Sequence, residues 1–140
     1  MEKDLSRFIK AQENSYEEAL SEIKSGRKKG HWMWFIFPQF KGLGFSEKSK
    51  YYSIKDLDEA KRYLSHPILG ERLKLITKEL LDLNENNPRK VFGSPDDLKL
   101  KSSMTLFAAI DASQENIFNA ALDKLFNGQT DHNTLTLIKE

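Results

Sequence analysis

Leu69, Leu73, Ile76, Leu80 and Leu83 follow one another at steps of four, three, four and three residues. That spacing lays five aliphatic side chains along one stripe of an α-helix, and the period of two of a strand cannot produce it. Similar stripes recur along the chain. Leu5, Phe8, Ile9 and Gln12 share one face, with Asp4 placed to cap their helix. Asn14 or Ser15 opens a second helix through Tyr16, Ala19, Leu20 and Ile23, and Gly26 is placed to end it. Asp56 with Glu59 forms a capping-box pattern before Leu57, Ala60 and Leu64. Ser65-His66-Pro67 stops that helix and begins the striped one, with Pro67 tolerated at the first helical position and His66 as a capping or surface residue.

Asn87-Pro88 closes the striped helix and starts a short turn through Val91 and Phe92, ended by Gly93. Ser94-Pro95-Asp96-Asp97 reads as a helix start: a cap, a proline, then acids at the positive end of the dipole. The helix it opens carries Leu100, Met104, Phe107 and Ile110. Ile117, Phe118, Ala121, Leu122, Leu125 and Phe126 belong to another, ended by Gly128, and Asp131 caps a last turn with Leu135 and Ile138. Period-two alternation is almost absent; Trp32, Trp34 and Ile36 are its candidates. The expected architecture is all-α: a compact multihelical single domain over residues 1–140, with an irregular aromatic-rich central segment and a glycine loop.

Composition narrows the function classes. A chain of 140 residues buries about 68–70% of its unfolded surface, enough for a core without staples. No cysteine is present, which excludes disulfides, thiolate nucleophiles, iron–sulfur clusters and cysteine-ligated zinc. Lys plus Arg is 22 against 21 for Asp plus Glu, so general nucleic-acid binding is not expected. The dense basic run Arg27-Lys28-Lys29, followed by His31, has two readings: a solvated helix exit that offsets the dipole, or a phosphate-attracting rim. No apolar run reaches the roughly 18–20 residues of a membrane span. Met1-Glu2-Lys3-Asp4 does not resemble a signal peptide, so a cytoplasmic protein is expected. His31, His66 and His132 lack metal-binding spacing, and no GxSxG elbow or P-loop occurs. No metal and no cofactor are expected.

Residues 31–52 break the helical pattern. Eight of the fifteen aromatic residues fall there: Trp32, Trp34, Phe35, Phe37, Phe40, Phe45, Tyr51 and Tyr52. Exposed together they would aggregate, so most belong in the core. Each buried indole N–H needs a partner, so Trp32 and Trp34 imply polar groups nearby. Pro38 pushes Phe37 out of the α region and ends the aromatic element. Gly42 and Gly44 permit positive φ and convergent amides, which suits either an ordinary loop or an anion-binding nest. Glu47 stands where a dinucleotide fingerprint needs its third glycine. Ser46 can cap a short helix through Tyr51. A second polar concentration, Lys99, Lys101, Ser102, Ser103 and Thr105, lies within an amphipathic helix. Its hydroxyls either back-bond to the i−4 carbonyl or face a ligand or the indoles. Asp96 and Asp97 are explained as helix-start residues, and Asp96 is also a candidate to face the site.

These residues carry a family resemblance. His31-Trp32-Met33-Trp34-Phe35-Ile36-Phe37-Pro38-Gln39, Gly42-Leu43-Gly44, His66-Pro67-Ile68-Leu69-Gly70, Phe92-Gly93-Ser94-Pro95-Asp96 and Lys99-Leu100-Lys101-Ser102-Ser103-Met104-Thr105-Leu106-Phe107 resemble the bacterial domain of unknown function 1810 family. The likeness runs from about Leu5 to Ile138. It implies a compact, mostly helical single domain with no settled activity. The calpastatin label sometimes given to the family does not carry over, because calpastatins are long disordered inhibitor repeats and this chain has a core. The motif match points to His31, Trp32, Trp34, Gln39, Gly42, Gly44, Asp96, Lys99, Ser102, Ser103 and Thr105 as site residues. A looser likeness, in the run of helices ending at Asp131 and Thr134-Leu135, links the chain to helical domains acting on ADP-ribose or related N-glycosides. The catalytic residues of those enzymes do not align here one by one.

The expectation is therefore a pocket for a nucleotide or ADP-ribose-like small molecule. Trp32 or Trp34 would stack on a base. Gln39, Gly42, Gly44, Lys99, Ser102, Ser103 and Thr105 would supply polar contacts. In an enzyme, His31 or Asp96 would transfer the proton. The alternative is a non-catalytic protein–protein interaction module using a surface aromatic patch, and a homodimer is a third reading.

Overall fold

The structure, a computed structural model, describes residues 5–113 and 116–139. Ten helices are present among them: α1 (Ser6–Glu13), α2 (Tyr16–Lys24), α3 (Met33–Ile36), α4 (Glu47–Tyr51), α5 (Leu57–Ser65), α6 (Leu69–Asp82), α7 (Pro88–Phe92), α8 (Asp96–Ile110), α9 (Ile117–Phe126) and α10 (His132–Ile138). The all-α expectation holds. Trp32, Trp34 and Ile36 do not form a strand: residues 33–36 make one helical turn, and Phe37 leaves the helix at φ −125° before Pro38. Beta pairing among the described residues is limited to a parallel bridge between Phe40 and Ile54.

The caps explain where the elements begin. Ser46 Oγ accepts from Ser49 N, Asp56 Oδ1 from Glu59 N and Asn87 Oδ1 from Arg89 N. Asp131 Oδ2 accepts from Thr134 N at 3.1 Å. His66 Nδ1 accepts from both Ile68 N and Leu69 N, which makes that histidine a cap at the entry to α6. The expected Asp4 cap lies outside the described residues. Helix α8 starts one residue later than its sequence signal suggests, at Asp96. Pro95 sits before it after a cis peptide bond, and no side chain caps the start.

Helix α8 lies at the centre, packed against α5, α7, α9 and α10, while α6 packs on α2, α5 and α9. Every residue from Ser102 to Phe107 is buried, so this helix is enclosed on more than one face. The stripe residues Leu69, Leu73, Ile76 and Leu80 are within 1% of full burial. Gly70 permits the tight meeting of α5 and α6, since a Cβ there would stand 1.9 Å from the Leu64 carbonyl oxygen. Two polar devices hold the periphery. Arg7 pairs with buried Glu59 at 3.0 Å, and its guanidinium donates to the carbonyls of Tyr51 and Ser53. Gln12 donates to the Phe35 carbonyl and to the hydroxyl of fully buried Tyr63, whose pKa burial pushes up. Among the described residues no helix is long and apolar enough to cross a membrane.

Candidate functional site

The aromatic segment divides into two environments. Trp32 is 2% exposed. Its indole N–H donates to Glu22 Oε1 at 2.9 Å, and the same oxygen accepts from Lys29 N and Gly30 N. Burial alone would raise the Glu22 pKa. The Gly30 and Lys29 amides, the Trp32 indole and the Glu18 side chain outweigh it and hold the carboxyl below its ordinary value. Glu22 thus folds the basic stretch 27–30 back onto the end of α2. Trp32 is a core residue with a satisfied N–H, and it presents no open face for stacking.

Trp34 is different. It is half-buried, and its Nε1 is buried without a hydrogen-bond partner among the described residues. Two ammonium groups lie by its ring, Lys48 Nζ at 5.1 Å and Lys99 Nζ at 5.2 Å from the centroid. Both distances are within the range of cation–π attraction. Asp96 fixes Lys99 in place: its carboxylate meets Lys28 Nζ at 2.9 Å and Lys99 Nζ at 3.5 Å. Lys28 in turn lies 5.1 Å from the Trp32 ring centroid. The run 27–29 is therefore more than a solvated exit, because its middle lysine is drawn into the α8 start.

Beside this arrangement is a cleft of about 360 Å³, lined by Gln39, Leu43, Gly44 and Ser49 on one side and by Lys99, Lys101, Ser102, Asp131 and Asn133 on the other, with Pro95 and Leu98 completing the wall. The first group comes from the loop after Pro38 and from α4. The second comes from α8 and the start of α10, which a shared hydroxyl network binds together. Ser102 Oγ donates to Asp131 Oδ2 at 3.0 Å and lies 3.2 Å from the Leu98 carbonyl oxygen. Thr105 Oγ1 donates to the Lys101 carbonyl and accepts from Asp131 N at 2.9 Å. Thr134 donates from both its amide and its hydroxyl to Asp131 Oδ2. The i−4 back-bond forms at Thr105, while the Ser102 hydroxyl anchors α10 through Asp131, a role neither reading named. None of these bonds uses Asp131 Oδ1. Ser103, one turn beyond Lys99 on the same side of α8, is fully buried, and its Oγ has no partner among the described residues.

The expected site residues are therefore partly assembled. Gln39, Gly44, Lys99 and Ser102 line one cleft, and Asp96 holds Lys99 at the ring of Trp34, which lines neither hollow. Thr105 lies behind the cleft as an anchor of Asp131. Gly42 faces a neighbouring hollow and has φ +102°, whereas Gly44 needs no positive φ. Gly44 is small for another reason: a Cβ there would stand 2.4 Å from Ser49 Cβ. The convergent nest of two left-handed glycines does not form. His31 is exposed and lines neither hollow. Trp32 and Ser103 are buried and line neither this cleft nor the hollow at Gly42.

Glu22, Lys48, Asn133 and the lining role of Asp131 escape sequence reasoning. Glu22 and Lys48 sit on exposed-looking helical positions, and their partners are brought to them by the tertiary fold. For Asp131 a signal existed, since its cap position follows a helix that ends beside the serine–threonine run.

Residues 2–138 match the family described as "Protein of unknown function (DUF1810)". The chain belongs to that family. It is similar to the conserved hypothetical protein Rv1873 from Mycobacterium tuberculosis, whose crystal structure superposes with a TM-score of 0.93. Identity to it is 45%, over 98% of this chain and 97% of that one. No curated protein matches. The helical architecture is thus that of a solved member of similar size, and neither relation carries a described activity to this DUF1810 chain.

Proposed function

We propose that the cleft between the glycine loop and α8 binds an anionic small molecule with a planar group, of nucleotide or ADP-ribose type. The observation that carries this reading is Lys99, which lines the cleft and reaches Trp34 beside it: an indole with two lysine ammonium groups at its ring and a buried N–H with no acceptor among the described residues. An orphaned buried donor costs about 1–3 kcal/mol, and an acceptor on a ligand would remove that cost. Lys99 and Lys48 supply charge for phosphate groups, and Asp96 positions Lys99 by pairing with it. Gln39, Ser102 and Asp131 Oδ1, which makes no hydrogen bond among the described residues, offer polar contacts suited to ribose or base edges. Stacking on an aromatic ring contributes about 1–3 kcal/mol per base; Trp34 does not itself line the cleft, so a base stacks on it once Lys99 turns from the ring to the ligand.

Titration calorimetry with AMP, ADP, ATP and ADP-ribose, with inorganic phosphate alongside, tests this. The expected result is binding of at least one organic ligand, weakened about tenfold by Trp34→Phe or Lys99→Gln and unaffected by His31→Ala. Absence of heat with every member at millimolar ligand overturns the reading.

A further inference from the structure

A second hollow, distinct from the ligand cleft, lies on the far side of Gly44 and Ser49. Its volume is about 460 Å³, its surface is mostly apolar, and its lining includes Gly42, Phe45 and Ser49 with Lys41, Lys50 and Lys55. Phe45 is 86% exposed, and Tyr51, on the same short helix as Ser49 and Lys50, is 60% exposed. Phe45 belongs to the lining, so its exposed ring extends the apolar surface of the hollow. The electrostatics are equally uneven. Residues 41–55 contain four lysines and one acid, Glu47, a local excess of +3 in a chain whose net charge is +1. Lys48 turns to Trp34, but Lys41, Lys50 and Lys55 have no ion-pair partner among the described residues. The wall is also built in advance. Arg7 holds the Tyr51 and Ser53 carbonyls at 2.9 Å each, and the Phe40–Ile54 bridge ties the two ends of the segment together.

We propose that this face docks an acidic peptide segment of a partner protein, with one apolar side chain of the segment seated in the hollow against Phe45 and its carboxylates met by Lys41, Lys50 and Lys55. This binding is independent of the small-molecule reading. Charge decides against a second copy of the chain, because a two-fold contact would bring the same unpaired lysines face to face. Shape decides against a bilayer, which has no side chain to insert into a concavity. Three lysines without an ion-pair partner among the described residues are also too few for a phosphate backbone track, which binds through a longer row of cations.

A peptide array of varied charge, probed with the purified chain, tests the proposal, with anisotropy measurements on the best binders. Phosphatidylserine vesicles and oligothymidine serve as competing probes. Enrichment of acidic peptides carrying a Phe, Leu or Trp is expected, with affinity falling at least about tenfold at high salt and in Phe45→Ala and in the Lys50→Glu/Lys55→Glu double variant. All three positions are exposed, and circular dichroism checks that the variants keep the helical fold. No enrichment, enrichment of basic or neutral peptides, unchanged affinity in Phe45→Ala, or tighter binding to vesicles or oligothymidine overturns it. Trp34→Phe should leave peptide binding unchanged, which separates failure here from failure of the ligand cleft.

Discussion

A single oxygen of Glu22 organises more of this surface than any motif residue does. It receives two backbone amides and the Trp32 indole, and hydrogen bonds to a charged acceptor contribute about 1.5–3 kcal/mol each before competing terms. Glu22→Gln keeps the shape and removes the charge, so a loss of about 1–2 kcal/mol at neutral pH is expected from urea unfolding. The pH dependence has a definite sign. The folded carboxyl titrates below its ordinary 4.5, so its contribution is full above that value and is lost as pH falls through the folded pKa. The stability difference between wild type and Glu22→Gln should therefore shrink below pH 4.5. A difference that grows on acidification would show that the clamp does not act through the carboxylate.

Among the elements, two junctions carry sharp expectations. Ala at position 70 would gain helix propensity of about 1 kcal/mol over Gly, but its Cβ would overlap the Leu64 carbonyl, a backbone atom that cannot swing aside. The clash wins, and Gly70→Ala should destabilise by about 3 kcal/mol in denaturant unfolding. At the other end of α6, Lys124 Nζ donates to the carbonyls of Leu80, Leu81 and Leu83. Lys124→Met keeps the stem and strips the cap, for an expected loss of about 1–3 kcal/mol by the same measurement.

These junctions also mark what could be read in advance. The Leu69–Leu80 stripe, the caps at Ser46, Asp56, Asn87 and Asp131, and the stop at Pro38 are local, set by residues within one or two turns, and they appear as expected. The 31–36 segment did not read uniquely, because every residue from Trp32 to Ile36 is large and apolar and so satisfies a period of two and of 3.6 alike. The α8 start lies one residue beyond its signal, with Pro95 rather than Ser94 at the cap position. The candidate cleft was legible only by residue type. Trp34, Lys48 and Lys99 meet across 65 residues of chain, and no spacing rule tells Trp34 from Trp32, whose N–H is silenced by a glutamate on another helix.

For the molecule as a whole, charge and concavity are gathered at one place. With +3 on residues 41–55 and +1 in total, the rest of the chain sums to −2, so anions are drawn toward the segment that carries α4. Both hollows meet there, and Gly44 and Ser49 line each of them. Helix α4 also presents Lys48 to Trp34 on one side and Lys50 to the apolar hollow on the other. Its seat depends on Gly44: a methyl group there would stand 2.4 Å from Ser49 Cβ and 2.6 Å from Ser49 Oγ. The Oγ can rotate away, but the Cβ is fixed by the backbone, so the helix itself must move. The core elements α5, α6, α8 and α9 lie elsewhere and do not depend on that contact. Gly44→Ala should thus weaken nucleotide binding and peptide capture together, each about tenfold, while the melting temperature changes little. Lys99→Gln should affect the first alone and Lys50→Glu the second alone. Loss of one activity with full retention of the other in Gly44→Ala would mean that α4 does not couple the two surfaces.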